Sequence, residues 1–221
     1  MIAKDLINPI VPALSVDDDI ARASSLMEDL QVAALPVLED AVFRGFIREE
    51  ALYDDMYDKA NVGAYPLITN GCTVYQGQHF YEILKTAAGC EYNMMAVLEE
   101  DDVFVGVITP EDLMQAFAQS IAVQSAGSII VVTLRQIDYS LAEITRLIES
   151  ENVKVLGSFL LNNPEDATQL DLTLKLDKKN VSHVVATLKR FDYKVSQIFQ
   201  EEKLISYEKE RLDALLKYLS I

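Results

Sequence analysis

The chain has 221 residues, of which 50% are hydrophobic and 24% charged, so it can bury one or two cores without metals or a disulfide framework. A formal net charge of −16 disfavours partners that need a basic footprint, so we expect neither nucleic acid nor an anionic membrane as a partner. No apolar run reaches the roughly 18 residues that span a bilayer. Charged residues and prolines interrupt residues 1–14, so we expect a cytoplasmic protein without a signal peptide.

The first half of the chain contains an internal repeat. A set of residues in the first copy recurs in the second at a shift of 61 positions. The matches are Asp40, Val42, Phe43, Gly45, Ile47, Glu50 and Leu52 with Asp101, Val103, Phe104, Gly106, Ile108, Glu111 and Leu113. We therefore expect two homologous units, residues 1–60 and residues 61–120.

Each unit is predicted to fold as helix, strand, turn, strand and helix. In the first, an acidic helix start precedes apolar residues at helical spacing, and residues 35–38 and 42–47 have the pattern of a hairpin. In the second, a helix beginning at Phe80 precedes hairpin strands at residues 94–98 and 103–108.

Both units resemble CBS domains. The first contains Ser15-Val16-Asp17, Val32-Ala33-Ala34-Leu35-Pro36-Val37 and Gly45-Phe46-Ile47 at the expected places, and the second contains Gly106-Val107-Ile108-Thr109-Pro110-Glu111-Asp112-Leu113. The resemblance implies that the two repeats pack sheet to sheet into one module. It also implies clefts between them for adenosine-containing nucleotides.

The ligand motif of this family implies one intact site. The motif consists of a glycine, two apolar residues, Ser or Thr, two free positions and Asp. Thr109 and Asp112 fit the Ser/Thr and Asp positions, and Pro110 lies at a free position between them. A hydroxyl beside a helix N-terminus can donate to a phosphate, and a carboxylate one turn on can accept both ribose hydroxyls. The same three residues are also a good helix start, so capping alone is the other interpretation.

The resemblance implies that this motif faces two segments of the first repeat. The implied contacts there are Ile7, Ile10, Pro12, Val32, Ala33 and Ala34. In the first repeat's own motif, Arg48 and Ala51 stand where the hydroxyl and the aspartate belong, so we expect that cleft to be degenerate. Arg48 is either a phosphate counter-charge or an ordinary surface arginine.

Residues 121–127 are predicted to be a linker and residues 128–200 a second domain. Strand and helix patterns there follow in the order βαββαβ, which predicts a ferredoxin-like sandwich and makes the whole chain α+β. Leu141-Ala142-Glu143-Ile144 and Glu151-Asn152-Val153-Lys154-Val155-Leu156 are similar to the start of an ACT domain, a regulatory module that typically binds amino acids at paired interfaces. Asp138-Tyr139 replaces the expected Pro-Gly, so we predict no tight amino-acid binding, with dimerisation as the alternative role.

The order of two CBS repeats and an ACT-like domain resembles bacterial acetoin-utilisation accessory proteins. Residues 201–221 have the pattern of a charged final helix, packed either on its own chain or on a partner. Its apolar stripe consists of Leu212, Leu215, Leu216 and Leu219.

Few residues have the chemistry of a metal or catalytic site. Cys72 and Cys90 are too widely spaced for a metal knuckle, so we expect buried free thiols. The acidic runs lack the aspartate and glycine alternation of calcium loops, so no metal site is predicted. His79 and His183 stand alone as expected helix-surface residues, and the usual phosphate-loop, nucleophile-elbow and zinc-protease motifs are missing from the sequence.

These observations predict a non-enzymatic regulatory sensor. Its ligand would be an adenine nucleotide, either AMP, ADP, ATP or S-adenosylmethionine, and no cofactor is expected. Both modules leave surfaces that usually pair, so we expect a homodimer or larger assembly acting on an unidentified target protein. A ligand-free dimeric interaction scaffold is the alternative.

Overall fold

The structure is a computed structural model that describes residues 1–52, 61–69, 71–90 and 93–200. The chain divides into two compact units, Met1–Ala118 and Gln119–Ile221. The final helix predicted for residues 201–221 lies outside the described residues. Within the described ranges, no helix has both the length and the apolar character needed to cross a membrane.

The first unit contains two sheets of three strands, one for each repeat. The first repeat consists of β1 (Leu14–Ser15), α1 (Ile20–Leu30), β2 (Ala34–Glu39), β3 (Val42–Arg48) and α2 (Glu49–Leu52). The second consists of β4 (Thr73–Tyr75), α3 (Phe80–Ala87), β5 (Met95–Leu98), β6 (Phe104–Ile108) and α4 (Pro110–Ala118). In each sheet the short first strand runs parallel to the second strand, which forms an antiparallel hairpin with the third. The two predicted hairpins and the repeat of topology are therefore confirmed.

The local sequence explains where the first helix of each repeat begins. Asp19 caps α1 by accepting a hydrogen bond from Ala21 N at 2.8 Å. His79 caps α3 by accepting from Tyr81 N through Nδ1, and the backbone N of His79 donates to Glu82 Oε2 at 2.9 Å. These contacts satisfy backbone groups that a helix start leaves without intrahelical partners.

Each repeat contributes a lead-in segment, the residues before its first strand, to the sheet of the other repeat. In the first lead-in segment, Asn8 N donates to Val107 O on β6 at 2.8 Å. In the second, Ile68 and Phe46 on β3 exchange two backbone hydrogen bonds of 2.8 and 2.9 Å. The two repeats are therefore reciprocally linked.

Two equivalent glycines allow these crossings. A Cβ atom at Gly106 would lie 2.5 Å from Ile7 Cγ2, and one at Gly45 would lie 2.9 Å from Ile68 O. Gly45 also has a φ of +143°, which L side chains rarely adopt. The glycine shared by the two repeats is thus explained by the close approach of the other repeat's lead-in segment.

A core shared by the two repeats lies between their sheets. Its buried members are Ala34, Phe43, Phe46, Cys72, Met94, Ala96, Leu98 and Val107. They come from β2 and β3 of the first repeat and, in the second, from β5, β6 and the residues just before β4 and β5. The two sheets therefore bury apolar residues against each other, which gives the first unit a common interior.

Cys72 and Cys90 form a disulfide, so the prediction of free thiols is wrong. Cys72 is buried just before β4, and Cys90 follows α3. The chain reverses between β4 and α3, which brings the two Cα atoms to 5.3 Å although 18 positions separate them in sequence. The Cα separation is typical of disulfides. The spacing of the two cysteines in the sequence did not indicate the chain reversal that brings them together.

The second unit begins with α5 (Ile121–Gln124), which lies inside the predicted linker. Then follow β7 (Ser128–Arg135), α6 (Leu141–Ser150), β8 (Val155–Asn162), β9 (Gln169–Leu176), α7 (Ser182–Arg190) and β10 (Lys194–Phe199). The strands form one antiparallel sheet in the order β10-β7-β9-β8. On β9 the buried leucines at alternate positions pack with apolar residues of α6 and α7. His183 lies exposed on α7.

A candidate ligand cleft between the two repeats

A cleft of about 490 Å³ lies between the repeats of the first unit. It is lined by Asn8, Ile10, Val11, Leu30, Gln31, Val32, Asn93, Thr109, Pro110 and Glu111. The lead-in segment, the end of α1 and the approach to β2 supply its first-repeat side, and the approach to β5 and the start of α4 supply the other. Its volume lies within the usual range of small-molecule sites.

Thr109 and Asp112 form the start of α4. The Thr109 hydroxyl accepts from Asp112 N at 3.2 Å and donates to Asp112 Oδ2 at 2.6 Å. Thr109 N donates to the same carboxylate oxygen at 2.8 Å. This reciprocal pattern is a capping box in which an aspartate takes the place of the usual Glu or Gln. The capping role considered for these two residues is therefore confirmed.

Asn8 joins the first lead-in segment to the same carboxylate. Its Nδ2 donates to Asp112 Oδ1 at 3.1 Å and to Asp112 Oδ2 at 3.2 Å. Its Oδ1 accepts from Ile10 N at 2.8 Å, which closes a local turn. Asp112 thus holds both the start of its own helix and a segment that lies 104 positions away in sequence.

Five residues of the predicted site are at or beside the cleft. Ile10, Val32, Thr109 and Pro110 line it, and Asp112 is hydrogen-bonded directly to Thr109. Ile10 is 69% exposed, so its side chain is available for contact with a ligand.

Other predicted residues do not line this cleft. Ile7 is half-buried against Gly106, and Pro12 is also half-buried. Ala33 is exposed, and its carbonyl accepts from the backbone N of α2's first residue, whereas Ala34 is buried in the core between the sheets. These four positions shape the segments around the cleft.

Arg48 lies at the end of β3 and does not line the cleft. Its Nη1 is 3.3 Å from Glu50 Oε2, and its side chain is 35% exposed. Ala51, which stands at the position equivalent to Asp112, is buried in the core of the first repeat. The first repeat therefore presents neither a hydroxyl nor a carboxylate at these two positions.

Sequence reasoning missed two side-chain amides on the cleft, those of Gln31 and Asn93, and gave no role to Asn8 within the predicted first segment. Gln31 ends α1 with a φ of 54°, and Asn93 precedes β5 with a φ of 50°. Asparagine is enriched in this left-handed region, so Asn93 offered a weak signal for an irregular, functional position. Glutamine has no such preference, so Gln31 offered no comparable signal. The contact of Asn8 with Asp112 forms only when the chain folds, so the sequence did not indicate it.

The cleft offers partial charges rather than a cation. Its lining within the described part of the chain includes no lysine or arginine, and Glu111 contributes an acidic group. The first turn of α4 supplies the positive end of a helix dipole, and the amides supply neutral donors. A ligand with few negative charges fits this environment better than a polyphosphate.

The second unit has a separate pocket of about 680 Å³ beside β7 and β10. Arg135 and Asp138 in its lining form an ion pair of 2.6 Å, and the hydrogen bond between them raises the pKa of Arg135. Burial, followed by a hydrogen bond to Glu143, raises the pKa of Tyr193. Tyr139, which stands in place of the glycine expected in an ACT domain, is not part of this lining.

Comparison with known proteins gives a family match for the first repeat. The sequence profile of the CBS domain matches residues 3–58. No curated protein sequence matches the chain. The comparisons indicate no catalytic family.

Several solved structures resemble the chain, all at low identity. A CBS domain pair/ACT domain protein from Thermotoga maritima is 16% identical with a TM-score of 0.49, covering 55% of this chain and 99% of that one. The CBS-pair protein CBSX2 from Arabidopsis thaliana is 16% identical with a TM-score of 0.47, covering 53% and 94%. CBSX2 has also been solved in complex with AMP. A CBS domain-containing protein of unknown function from Bacillus anthracis is 14% identical with a TM-score of 0.44, covering 55% and 95%.

Proposed function

We propose that the protein is a non-enzymatic regulatory sensor that binds one adenine nucleotide per chain in the cleft between two CBS-type repeats. One observation carries this proposal, namely that the start of α4 in the second repeat meets the lead-in segment of the first at a single cleft. The similarity of residues 3–58 to a CBS domain and the matching topology of both repeats support it. Thr109 and the first turn of α4 would bind the polar end of the ligand, and Asp112 would accept ribose hydroxyls.

The lining of the cleft favours some adenine nucleotides over others. Ile10, Val11, Leu30 and Val32 supply an apolar side for the base, and the amides of Gln31 and Asn93 supply hydrogen bonds. Each additional phosphate would bring negative charge towards Glu111 without a cation from the described lining. We therefore rank AMP and S-adenosylmethionine above ATP.

The second unit would pass the signal on as an ACT-like dimerisation domain. Its βαββαβ order and antiparallel sheet support this role. We propose a homodimer that regulates an unidentified target protein, and the net charge of −16 disfavours nucleic acid and membranes as that target. The likeness to acetoin-utilisation proteins and the cytoplasmic location stay predictions.

A second candidate function is supported by the capping box. The contacts of Thr109 and Asp112 with each other and with Asn8 account for both side chains without a ligand. This observation favours a ligand-free dimeric scaffold, in which the same residues only stabilise the start of α4 and the lead-in segment.

Calorimetry and thermal melting with AMP, ADP, ATP and S-adenosylmethionine distinguish the two functions. A sensor should show one site per chain and, at a free ligand concentration 100 times Kd, about 2.7 kcal/mol of stabilisation. That stabilisation should raise the Tm by several degrees, since about 1 kcal/mol corresponds to about 2–4 °C in a protein of this size. If no nucleotide at millimolar concentration gives heat or a Tm shift, the scaffold replaces the sensor.

A further inference from the structure

The carboxylate proposed to bind ribose already has a partner inside the protein. Asn8 Nδ2 contacts both oxygens of Asp112, at 3.1 and 3.2 Å. We propose that Asn8 is an autoinhibitory latch, which occupies the ribose acceptor in the free protein and must be displaced when a nucleotide binds. This proposal rests on the proposed function, because it concerns regulation of the same cleft.

The two oxygens of Asp112 differ in their remaining capacity. Oδ2 accepts from Thr109 N at 2.8 Å and from the Thr109 hydroxyl at 2.6 Å, in addition to Asn8. Oδ1 accepts only from Asn8 among the contacts of the described residues. A carboxylate offers about four acceptor directions, so removing Asn8 frees Oδ1 entirely while the capping box keeps Oδ2 in place. A ribose hydroxyl would therefore replace the Asn8 amide.

Displacement of Asn8 would also change a wall of the cleft. The Oδ1 atom of Asn8 accepts from Ile10 N at 2.8 Å, and Ile10 lines the cleft with 69% of its surface exposed. The backbone N of Asn8 remains tied to Val107 O at 2.8 Å. The side chain can thus leave Asp112 by rotation while the backbone stays attached to β6. Ligand binding would therefore change the conformation of the first lead-in segment.

Asn8→Ser removes the latch with little change to the turn. A serine hydroxyl can still accept from Ile10 N as an ST-turn, but it is too short to reach Asp112. We expect its affinity for AMP to rise about tenfold, which corresponds to about 1.4 kcal/mol. We also expect the unliganded Tm to fall, because a contact between the two repeats is lost. A purely structural role would lower stability and affinity together.

Two controls test whether the gain belongs to the ribose acceptor. The first is 2′,3′-dideoxy-AMP, which lacks the ribose hydroxyls and should gain no affinity from Asn8→Ser. The second is Asn163→Ser in the other unit, where Asn163 Nδ2 donates to Asp171 at 3.1 and 3.0 Å and its Oδ1 accepts from Glu165 N at 3.0 Å. This variant removes the same type of contact and should leave AMP affinity unchanged.

Titration of wild type and Asn8→Ser with both ligands separates the outcomes. If wild type binds AMP and Asn8→Ser binds it equally or more weakly, the latch is wrong and the proposed function stands. An equal gain for AMP and the dideoxy ligand also overturns the latch. If neither protein binds any nucleotide of the panel, the proposed function and the latch fail together.

A measurement on the wild type keeps the proposal testable if Asn8→Ser does not fold. The side-chain amide of Asn8, assigned by NMR in isotope-labelled protein, should shift on saturation with AMP because it loses its charged acceptor. The side-chain amide of Asn163 should not shift. An unchanged Asn8 signal at saturating AMP would overturn the latch.

Discussion

Asp112→Asn tests the shared role of the carboxylate in capping and ligand binding. The substituted amide keeps one acceptor oxygen for the Thr109 contacts but turns an NH₂ group towards the NH₂ group of Asn8. Hydrogen bonds to a charged group contribute about 1.5–3 kcal/mol and neutral ones about 1 kcal/mol. We therefore expect the free energy of unfolding of the unliganded first unit to fall by about 1–2 kcal/mol, a loss of about 2–8 °C in Tm.

The same substitution should reduce the free energy of AMP binding more than it reduces the free energy of unfolding. A neutral amide replaces the charged acceptor of the ribose hydroxyls, so we expect AMP affinity to fall about 10- to 100-fold, or about 1.4–2.7 kcal/mol. Calorimetry with AMP gives the affinity, and melting followed by circular dichroism gives the stability. If the wild type binds AMP and the Kd of Asp112→Asn for AMP lies within about twofold of the wild-type value, Asp112 is only a helix cap.

Asp171→Asn is the matched control for this variant. Asp171 accepts from the Asn163 amide at 3.1 and 3.0 Å and from the Thr133 hydroxyl at 2.6 Å, so it combines an amide and a hydroxyl donor as Asp112 does. Its substitution should lower stability by a similar amount without changing AMP affinity. A parallel loss of affinity in Asp171→Asn would mean that the calorimetry reports general destabilisation.

Three further predictions concern other parts of the chain. Reduction of the Cys72–Cys90 bond by a dithiol, or substitution of both cysteines by alanine, should lower the free energy of unfolding by about 3 kcal/mol, because the bond closes a loop between positions 18 apart. Identical urea unfolding curves with and without reductant would contradict the bond. Light scattering should give the mass of a homodimer or larger assembly, and a monomer at micromolar concentration would remove that part of the proposal. Calorimetry with the standard amino acids should show no tight binding because Tyr139 replaces the expected glycine; micromolar affinity for any of them would make the protein a sensor with two inputs.

The repeat was predictable because its signals are local or occur at a fixed shift. Gly45 and Gly106 occupy equivalent places, and the apolar runs around them alternate as hairpin strands do. The start of α4 was also predictable, since Thr109 followed by Pro110 is a local helix signal. These features need no knowledge of what packs against them.

Contacts between distant parts of the chain were not predictable in the same way. The Cys72–Cys90 bond depends on how α3 returns beside β4, and the spacing of the two cysteines does not encode that path. The hydrogen bonds of Asn8 to Asp112 cross 104 positions and both repeats. A polar residue before a proline, as Asn8 is, indicates a turn, and its partner becomes known only when the repeats are packed.

The repeat relation also links the latch to the acceptor that it covers. The backbone pairings of Asn8 with Val107 and of Ile68 with Phe46 place Ile68 where Asn8 stands, and a shift of 61 positions relates Ala51 to Asp112. Ala51 is buried, and neither Ala51 nor Ile68 has a polar side-chain atom. The pair formed by Ile68 and Ala51 therefore lacks both the amide and the acceptor, whereas the pair formed by Asn8 and Asp112 has both. The amide thus occurs together with the acceptor that it covers, as control of one ligand site requires.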